Sequence, residues 1–259
     1  MSDALRVERH GPVRLLIFAL PERRNAMTDE LTAAWGYEIA ALRADPEVRC
    51  VVVTGEGSAF CAGGDLAWLG DARGEPADFF RRRMSEFYRQ WLSIRQLPVP
   101  TIAAINGAAV GAGLCVALAC DLRYATPGAA LSMPFAALGL HPGMAATGLL
   151  PEVASTPVTF DLLLTGRSVR GQEALQLGLI NEVADDPVAK ALEVARTITQ
   201  QAPLAIRLIT SALRRRGDVQ VDEALHWEAL AQPVTMTTSD LHEGLAAARA
   251  RRSPSFQDH

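Results

Sequence analysis

The sequence has few features of a secreted, metal-binding or disulfide-bonded protein. Its five histidines are scattered, and its four cysteines lie in apolar surroundings without a short paired spacing: Cys50, Cys61, Cys115 and Cys120. We therefore expect reduced, buried thiols and no metal site. Residues 1–10 have no apolar stretch behind their charges, which is atypical of a signal or transit peptide and favours a cytoplasmic protein.

An excess of positive charge is also missing. Lys and Arg number 25 against 29 Asp and Glu, so the net charge is −4. This balance argues against general nucleic-acid binding. Two runs of arginine, residues 81–83 and 214–216, are interpreted as solvated faces of helices.

Charge is absent altogether from Pro98 to Cys120, and this stretch is rich in Gly and Ala rather than Leu and Phe. A membrane helix needs about 20 strongly apolar residues, which this composition does not supply. The glycine and lysine spacings of nucleotide-binding loops are absent as well. We predict instead a strand at 101–105, a turn, and a helix that starts near Gly111.

Strands and helices alternate along the chain. An apolar strand is predicted at 13–20, a helix at 28–45 capped by Thr28 or Asp29, and a strand buried on both faces at 48–57. A further helix is predicted at 78–97, and short strands follow it before a mostly helical C-terminal part. The pattern predicts an α/β fold with parallel strands.

Two loops share one arrangement in which a strand runs into small residues and then a helix. They are residues 106–113 and residues 58–66, where Gly63 and Gly64 lack side chains. Free backbone N–H groups and the positive end of a helix dipole suit a developing negative charge. If the two loops converge, they form an oxyanion hole whose donors are each worth about 3 kcal/mol in a dry site.

Five segments in order resemble the enoyl-CoA hydratase/isomerase, or crotonase, superfamily, and they cover nearly the whole chain. They are "PERRNAM", "VVVTGEGSAFCAGGDL", "PVPTIAAINGAAVGAGLCVALACDLRYAT", "TGRSVRGQEALQLGLINEV" and "RRSPSFQDH". The resemblance implies a spiral of ββα units in residues 1–200, which contains an acyl-CoA site. It also implies a helical region in residues 201–259 that forms trimers or dimers of trimers.

The resemblance also implies the roles of individual residues. The enolate-stabilising N–H groups fall on Gly64 and Ala112. Coenzyme A, as part of the thioester substrate and the only cofactor expected, should lie along residues 21–27. The residues expected to bind substrate are Arg23 or Arg24 at the phosphates, Ala26 at the adenine, Phe256 closing over coenzyme A, and Ala62, Trp68 and Phe135 around the acyl group.

The sequence departs from the family at the acid/base positions. The two glutamates of typical hydratases fall on Cys115 and Phe135, and neither is a carboxylate. Cys115 is either a nucleophile or base near a helix N-terminus or a small buried hydrophobe. His141 is either a replacement acid/base or a histidine that hydrogen-bonds within its own loop.

Three functions remain open on this basis. The first is an enzyme that forms a thioester enolate, by hydration of a 2-enoyl-CoA or by isomerisation. The second is a protein that binds acyl-CoA without turning it over. The third is a thioester hydrolase with Cys115 as nucleophile, although no neighbouring base is evident for it.

Overall fold

The structure, a computed structural model, describes residues 3–65 and 75–257. Trp68 therefore lies outside the described residues. The described part forms ten strands, as follows: β1 (Leu5–His10), β2 (Val13–Phe18), β3 (Cys50–Gly55), β4 (Ala59–Cys61), β5 (Thr101–Ile105), β6 (Ala108–Val110), β7 (Leu122–Ala125), β8 (Ala130–Ser132), β9 (Val169–Arg170) and β10 (Glu182–Val183).

The helices of the described part are α1 (Asp29–Ala44), α2 (Ala77–Leu92), α3 (Ala112–Ala119), α4 (Ala146–Val153), α5 (Thr156–Thr165), α6 (Gly171–Gln176), α7 (Pro187–Thr199), α8 (Pro203–Met236) and α9 (Ser239–Ala250). Helix α1 is capped by Thr28, whose Oγ1 accepts the N–H of Leu31 at 3.1 Å. None of the helices in the described part combines the length and the apolar character needed to cross a membrane.

Two sheets organise these elements. The larger has the order β1-β2-β3-β5-β7-β10, in which β1 is antiparallel to β2 and the remaining pairs are parallel. The smaller has the order β4-β6-β8-β9, with only β9 antiparallel. The predicted parallel α/β fold is therefore confirmed.

The chain passes from the larger sheet to the smaller sheet three times, in the pairs β3–β4, β5–β6 and β7–β8. Helices follow each pair, so the chain winds as a spiral of ββα units and then enters the long helix α8 and the shorter helix α9. The spiral places the loops after β4 and β6 next to one another, because those two strands are hydrogen-bonded neighbours.

The core lies on both faces of the larger sheet. All six residues of β3 are buried, as expected from its continuous run of apolar and β-branched residues. Helix α7 covers one face, where Ala191 and Ala195 pack with Val52 and Ile102. The opposite face carries the larger cluster, in which Trp35 and Trp91 stack at 5.0 Å between ring centroids.

The interpretation of residues 214–216 as a solvated face is wrong at Arg214. Its guanidinium is buried and bonds both carboxylate oxygens of Asp121, with Nε at 2.7 Å from Oδ1. It also donates to three backbone carbonyls, those of Arg95, Leu97 and Val99. Arg215 and Arg216 are exposed as expected. Of the three arginines, only Arg214 therefore connects α8 to the segment that precedes β5.

Candidate functional site

A cavity of about 890 Å³ lies where the loops after β4 and β6 meet helices α2, α8 and α9. Its volume falls in the range of about 300–1,000 Å³ that is common for ligand sites in proteins. Apolar side chains from α2 and from the segment after β8 form much of its wall, among them Met84, Phe87, Phe135 and Leu140. No group of three or more His, Cys, Asp or Glu side chains suited to a metal occurs in the described ranges.

The two loops touch at Gly63, which has φ +91°. A Cβ atom there would lie 2.5 Å from the carbonyl oxygen of Val110 and 3.5 Å from the backbone nitrogen of Ala112. Any side chain would therefore push the loops apart, and the conformation itself favours glycine. The convergence that the sequence only suggested is present in the fold.

Gly64 and Ala112 both line the cavity, one from each loop. Ala112 is the first residue of α3, so its N–H has no partner within the helix. A Cβ at Gly64 would meet nothing within 4 Å, so there is open space on the side of the backbone where a side chain would point. The positive end of the α3 dipole adds to the attraction for a negative oxygen at this wall.

Cys115 is fully buried and is not part of the cavity wall. Its Sγ lies 3.8 Å from the carbonyl oxygen of Gly143. Burial, and then the charge of Glu228, raise the pKa of this thiol well above its ordinary value. A neutral thiol is a weak nucleophile, so the environment favours a packing role over the hydrolase alternative.

His141 lies beside the cavity wall but is not itself a lining residue. Its Nδ1 is 2.7 Å from the carbonyl oxygen of Pro142, and its backbone N–H donates to Thr235 Oγ1 at 2.9 Å. Because a carbonyl can only accept, Nδ1 carries the hydrogen in this geometry. The ring is thus bonded within its own loop, the second of the two alternatives.

The residues expected around the substrate divide between the cavity and its surroundings. Ala62, Phe135 and Arg23 line the cavity, and Arg23 pairs with Asp65 at 2.8 Å. Arg24 and Ala26 are not in the wall; the carbonyl of Arg24 accepts the N–H of Ala62 and so holds the first loop.

Phe256 lies apart from this cavity, in a separate groove beside Asp240 and Gly139. Its side chain is partly exposed. Within this single chain, Phe256 therefore does not line the same cavity as Gly64 and Ala112. Its expected contact with coenzyme A remains a prediction.

Sequence reasoning missed two arginines of the cavity wall. Arg83 was assigned to a solvated face but contributes to the cavity, where it pairs with Asp29 at 3.2 Å. Arg252 follows α9 and pairs with Glu243, whose pKa the arginine lowers to about 2. Their position in the tertiary structure, and not their immediate neighbours, distinguishes them from ordinary surface arginines.

A buried polar cluster was missed as well. Tyr88 on α2 and Gln232 on α8 line the cavity, and Glu228 lies one turn before Gln232. A signal was available, because Glu228 and Gln232 fall on the same helical stripe as the apolar Val221 and Met236. Polar residues on the buried stripe of an amphipathic helix are candidates for function.

Glu228 caps the N-terminus of α4 from outside that helix. Its Oε1 accepts the N–H of Thr147 at 2.8 Å and the Thr147 hydroxyl at 2.6 Å. The segment it holds includes Met144 and Ala145 at φ 61° and 54°, which non-glycine residues seldom adopt. Within the described residues, Oε2 is a buried oxygen without a hydrogen-bond partner. Burial raises the pKa of the carboxyl from 4.5 to about 7.

We expect Glu228 to make stability depend on pH. Between about pH 4.5 and 7 the folded carboxyl keeps a proton that the unfolded chain has released, so stability falls as pH rises through this window. Glu228→Gln removes the titration, and its stability relative to the parent should rise by up to about 3 kcal/mol between pH 5 and pH 8. Urea unfolding of both proteins across this range measures the difference.

The matched control is Glu223→Gln, which changes an exposed carboxylate of the same helix. Its stability relative to the parent should not vary with pH. If the difference in stability between Glu228→Gln and the parent is also independent of pH, this result contradicts the raised pKa of Glu228.

The chain was compared with known families and structures. A family model described as enoyl-CoA hydratase/isomerase matches residues 8–259. A probable enoyl-CoA hydratase of Mycobacterium tuberculosis, EchA14, is 39% identical over 253 residues, which span 95% of this chain and 97% of that protein. The human enoyl-CoA hydratase domain-containing protein 2, mitochondrial, is 34% identical over 243 residues, 91% of this chain and 82% of that protein.

Solved structures give the same result for the fold. The crystal structure of an enoyl-CoA hydratase/isomerase from Mycobacterium paratuberculosis matches with a TM-score of 0.87 at 30% identity, over 95% of this chain and 98% of that chain. One from Pseudoalteromonas atlantica also gives a TM-score of 0.87 at 30% identity, over 98% and 100% of the two chains. The described spiral is therefore that of the crotonase fold.

Proposed function

Because this chain belongs to the enoyl-CoA hydratase/isomerase family, we propose that it binds an acyl-CoA thioester in the cavity and stabilises the enolate formed from it. The observation that carries the proposal is that Gly64 and Ala112 both line the cavity, where Gly63 brings their two loops into contact. Their N–H groups would bond the thioester oxygen as it becomes negative. Donors of this kind act strongly where water is excluded.

The reaction we favour is addition of water to a 2-enoyl thioester. The oxygen of water bonds to the β carbon, and electron density moves through the α carbon to the carbonyl oxygen. A proton from the same water returns to the α carbon to complete the product. The chain needs no cofactor for this step beyond the coenzyme A of its substrate.

Coenzyme A would lie at the polar rim of the cavity. Arg23, Arg83 and Arg252 all line it and are partly exposed, with each guanidinium paired to a carboxylate. Arginine binds phosphate oxygens well because its donors form a planar fork. A diphosphate would compete with the carboxylates for these donors, so the three arginines suit the nucleotide part of the substrate.

A protein that binds acyl-CoA without turnover is the second candidate. The positions at which the family resemblance places acid/base glutamates carry the thiol of Cys115 and the ring of Phe135. Phe135 lines the cavity beside Gly111, and a phenyl ring cannot transfer a proton. Binding through the two backbone donors would remain intact in such a protein.

One experiment separates the two candidates. Saturated and 2-enoyl acyl-CoA esters are incubated with the protein in heavy water, and products are analysed by mass spectrometry while binding is measured in parallel. Gain of water, or deuterium at the α carbon above the enzyme-free control, supports the enzyme. Binding without any mass change supports the non-catalytic candidate, and absence of binding to every ester contradicts both.

We also propose that the protein assembles as a homotrimer or a dimer of trimers. Helix α8 exposes a series of large apolar side chains, including Leu208, Leu213, Trp227 and Val234, and α5 exposes Phe160 and Leu164. Large apolar side chains exposed in this number favour association. Sedimentation velocity of the purified protein tests the assembly, and a monomer would contradict it.

A further inference from the structure

A second groove adjoins the cavity at Tyr88. The groove has a volume of about 780 Å³ and lies between α2 and α8, with Ser85 and Arg89 on one side and Val221 and Leu225 on the other. Within the described ranges, Tyr88 is the only residue that lines both the groove and the cavity. The boundary between the two spaces therefore passes through this one residue.

The spacing of residues along α2 explains this position. Ser85, Tyr88 and Leu92 line the groove, and residues three or four positions apart lie on the same face of a helix. Met84, Phe87 and Tyr88 line the cavity and form the adjacent face of the same helix. Tyr88 thus lies on the edge that the two faces of α2 share.

The side chain of Tyr88 is held in place and is only 2% exposed. Its Oη donates to Gln232 Oε1, and Gln232 Nε2 donates to the carbonyl oxygen of His141 at 2.8 Å. A Cβ atom at Gly143 would clash with Oη and lie 2.8 Å from Cζ, so the backbone of Gly143 packs directly against the phenol. The ring also packs edge-on against Phe87, with 6.2 Å between centroids. These contacts make Tyr88 a rigid part of the wall.

The cavity beside Tyr88 is suited to a hydrocarbon chain. Met84, Phe87, Leu140 and Met144 all line it, and none of these side chains carries a charge. Along α2 the cavity wall begins at Arg83 and ends at Tyr88, which lies five residues or about 7.5 Å further along the helix axis. The wall therefore changes from a charged rim to an apolar end that Tyr88 closes.

The groove beyond Tyr88 also contains apolar surface. Leu92, Val221 and Ala229 line it and are buried, at 6%, 4% and 7% exposure. The charged residues Arg89 and Asp222 line it as well but are exposed to solvent. A hydrocarbon chain that passed Tyr88 would therefore find apolar side chains between the two helices.

We propose that Tyr88 sets the maximum length of the acyl chain that this protein accepts. Its ring closes the passage from the cavity to the groove, so the terminal carbons of a long chain have no place in the bound complex. Removal of the ring joins the two spaces and lets those carbons enter the groove. This inference rests on the proposed binding of acyl-CoA in the cavity.

Isothermal titration tests the inference with butyryl-, octanoyl-, dodecanoyl- and hexadecanoyl-CoA below the concentrations at which they form micelles. In the parent, affinity should rise by up to about fourfold for each buried methylene until the chain reaches Tyr88. Hexadecanoyl-CoA should then bind at least about tenfold more weakly than the best shorter ester. The length of the ester with the highest affinity is the optimum that the variants should change.

Four variants identify the ring and the groove as the cause. Tyr88→Ala should move the optimum to a longer ester, and so should Tyr88→Leu, which keeps an apolar side chain in the core. Tyr88→Phe is the matched control, because it loses the hydrogen bond to Gln232 but keeps the ring and should keep the parental optimum. Leu225→Trp fills the groove; it should have no effect alone and should restore the parental optimum when combined with either ring-removing variant.

Each outcome of the titration has a distinct meaning. A steady rise in the affinity of the parent up to hexadecanoyl-CoA overturns the inference without any variant. A parental optimum in folded Tyr88→Ala or Tyr88→Leu also overturns it, and so does a longer optimum that Leu225→Trp does not reverse. All three results leave the proposed acyl-CoA binding intact. Absence of binding to every ester overturns the proposed function together with the inference.

Discussion

Ala112→Pro is expected to lower the rate of enolate-dependent chemistry by about 100- to 1,000-fold, the loss usually caused by removing one oxyanion donor. Proline removes the N–H of Ala112 and puts a ring carbon in its place. The first position of a helix tolerates proline, because its N–H has no partner within the helix. Gly111, which precedes it, has no Cβ to clash with the ring.

Turnover or α-carbon deuterium exchange measures the rate, and chemical denaturation measures the fold. Ala112→Gly keeps the N–H and should remain near the parent rate. Ala77→Pro places proline at the first position of α2, outside the cavity wall, and should also leave the rate unchanged. A stable Ala112→Pro protein with parental activity would contradict the proposal that this N–H stabilises the enolate.

Arg214→Gln is expected to lower the free energy of unfolding by about 3–5 kcal/mol, the usual effect of breaking a buried ion pair. The substitution leaves the carboxylate of Asp121 without its bidentate partner. It also removes the donors to the carbonyls of Leu97 and Val99, which lie just before β5. Buried carbonyls left without partners add to the cost.

Urea unfolding at equal protein concentration measures this change. Arg215→Gln and Arg216→Gln alter the adjacent exposed arginines and should stay within about 0.5 kcal/mol of the parent. If the free energy of unfolding of Arg214→Gln also lies within this limit of the parent, the hydrogen bonds of Arg214 do not stabilise the packing of α8 beside β5.

The sequence predicted the elements whose signals are local. The buried strand β3 follows from a run of β-branched residues, and the start of α1 follows from Thr28 as a cap. Helix α2 was predicted to reach residue 97 but ends at Leu92, where a short 3₁₀ turn over Ser93–Gln96 takes its place. Helix ends depend on the tertiary packing around them, which local propensity does not report.

The site could be predicted only in part, because only some of its residues have a local signal in the sequence. Gly63 and Gly64 stand out because glycine pairs after a buried strand indicate backbone exposed to a ligand. Gln232 has a weaker signal, as a polar residue on the apolar stripe of α8. Its contact with Tyr88 has none, since 144 positions separate the two residues along the chain.

By itself, the sequence determined the order of strands and helices, the two small-residue loops and the family to which they belong. These features rest on short-range rules of residue size, backbone freedom and periodicity. The tertiary structure alone decided that Arg214 is buried, that Arg83 and Arg252 reach the cavity and that Glu228 caps a distant helix. Such contacts depend on where remote segments meet, and the energy that selects them comes from burial and desolvation in the assembled fold.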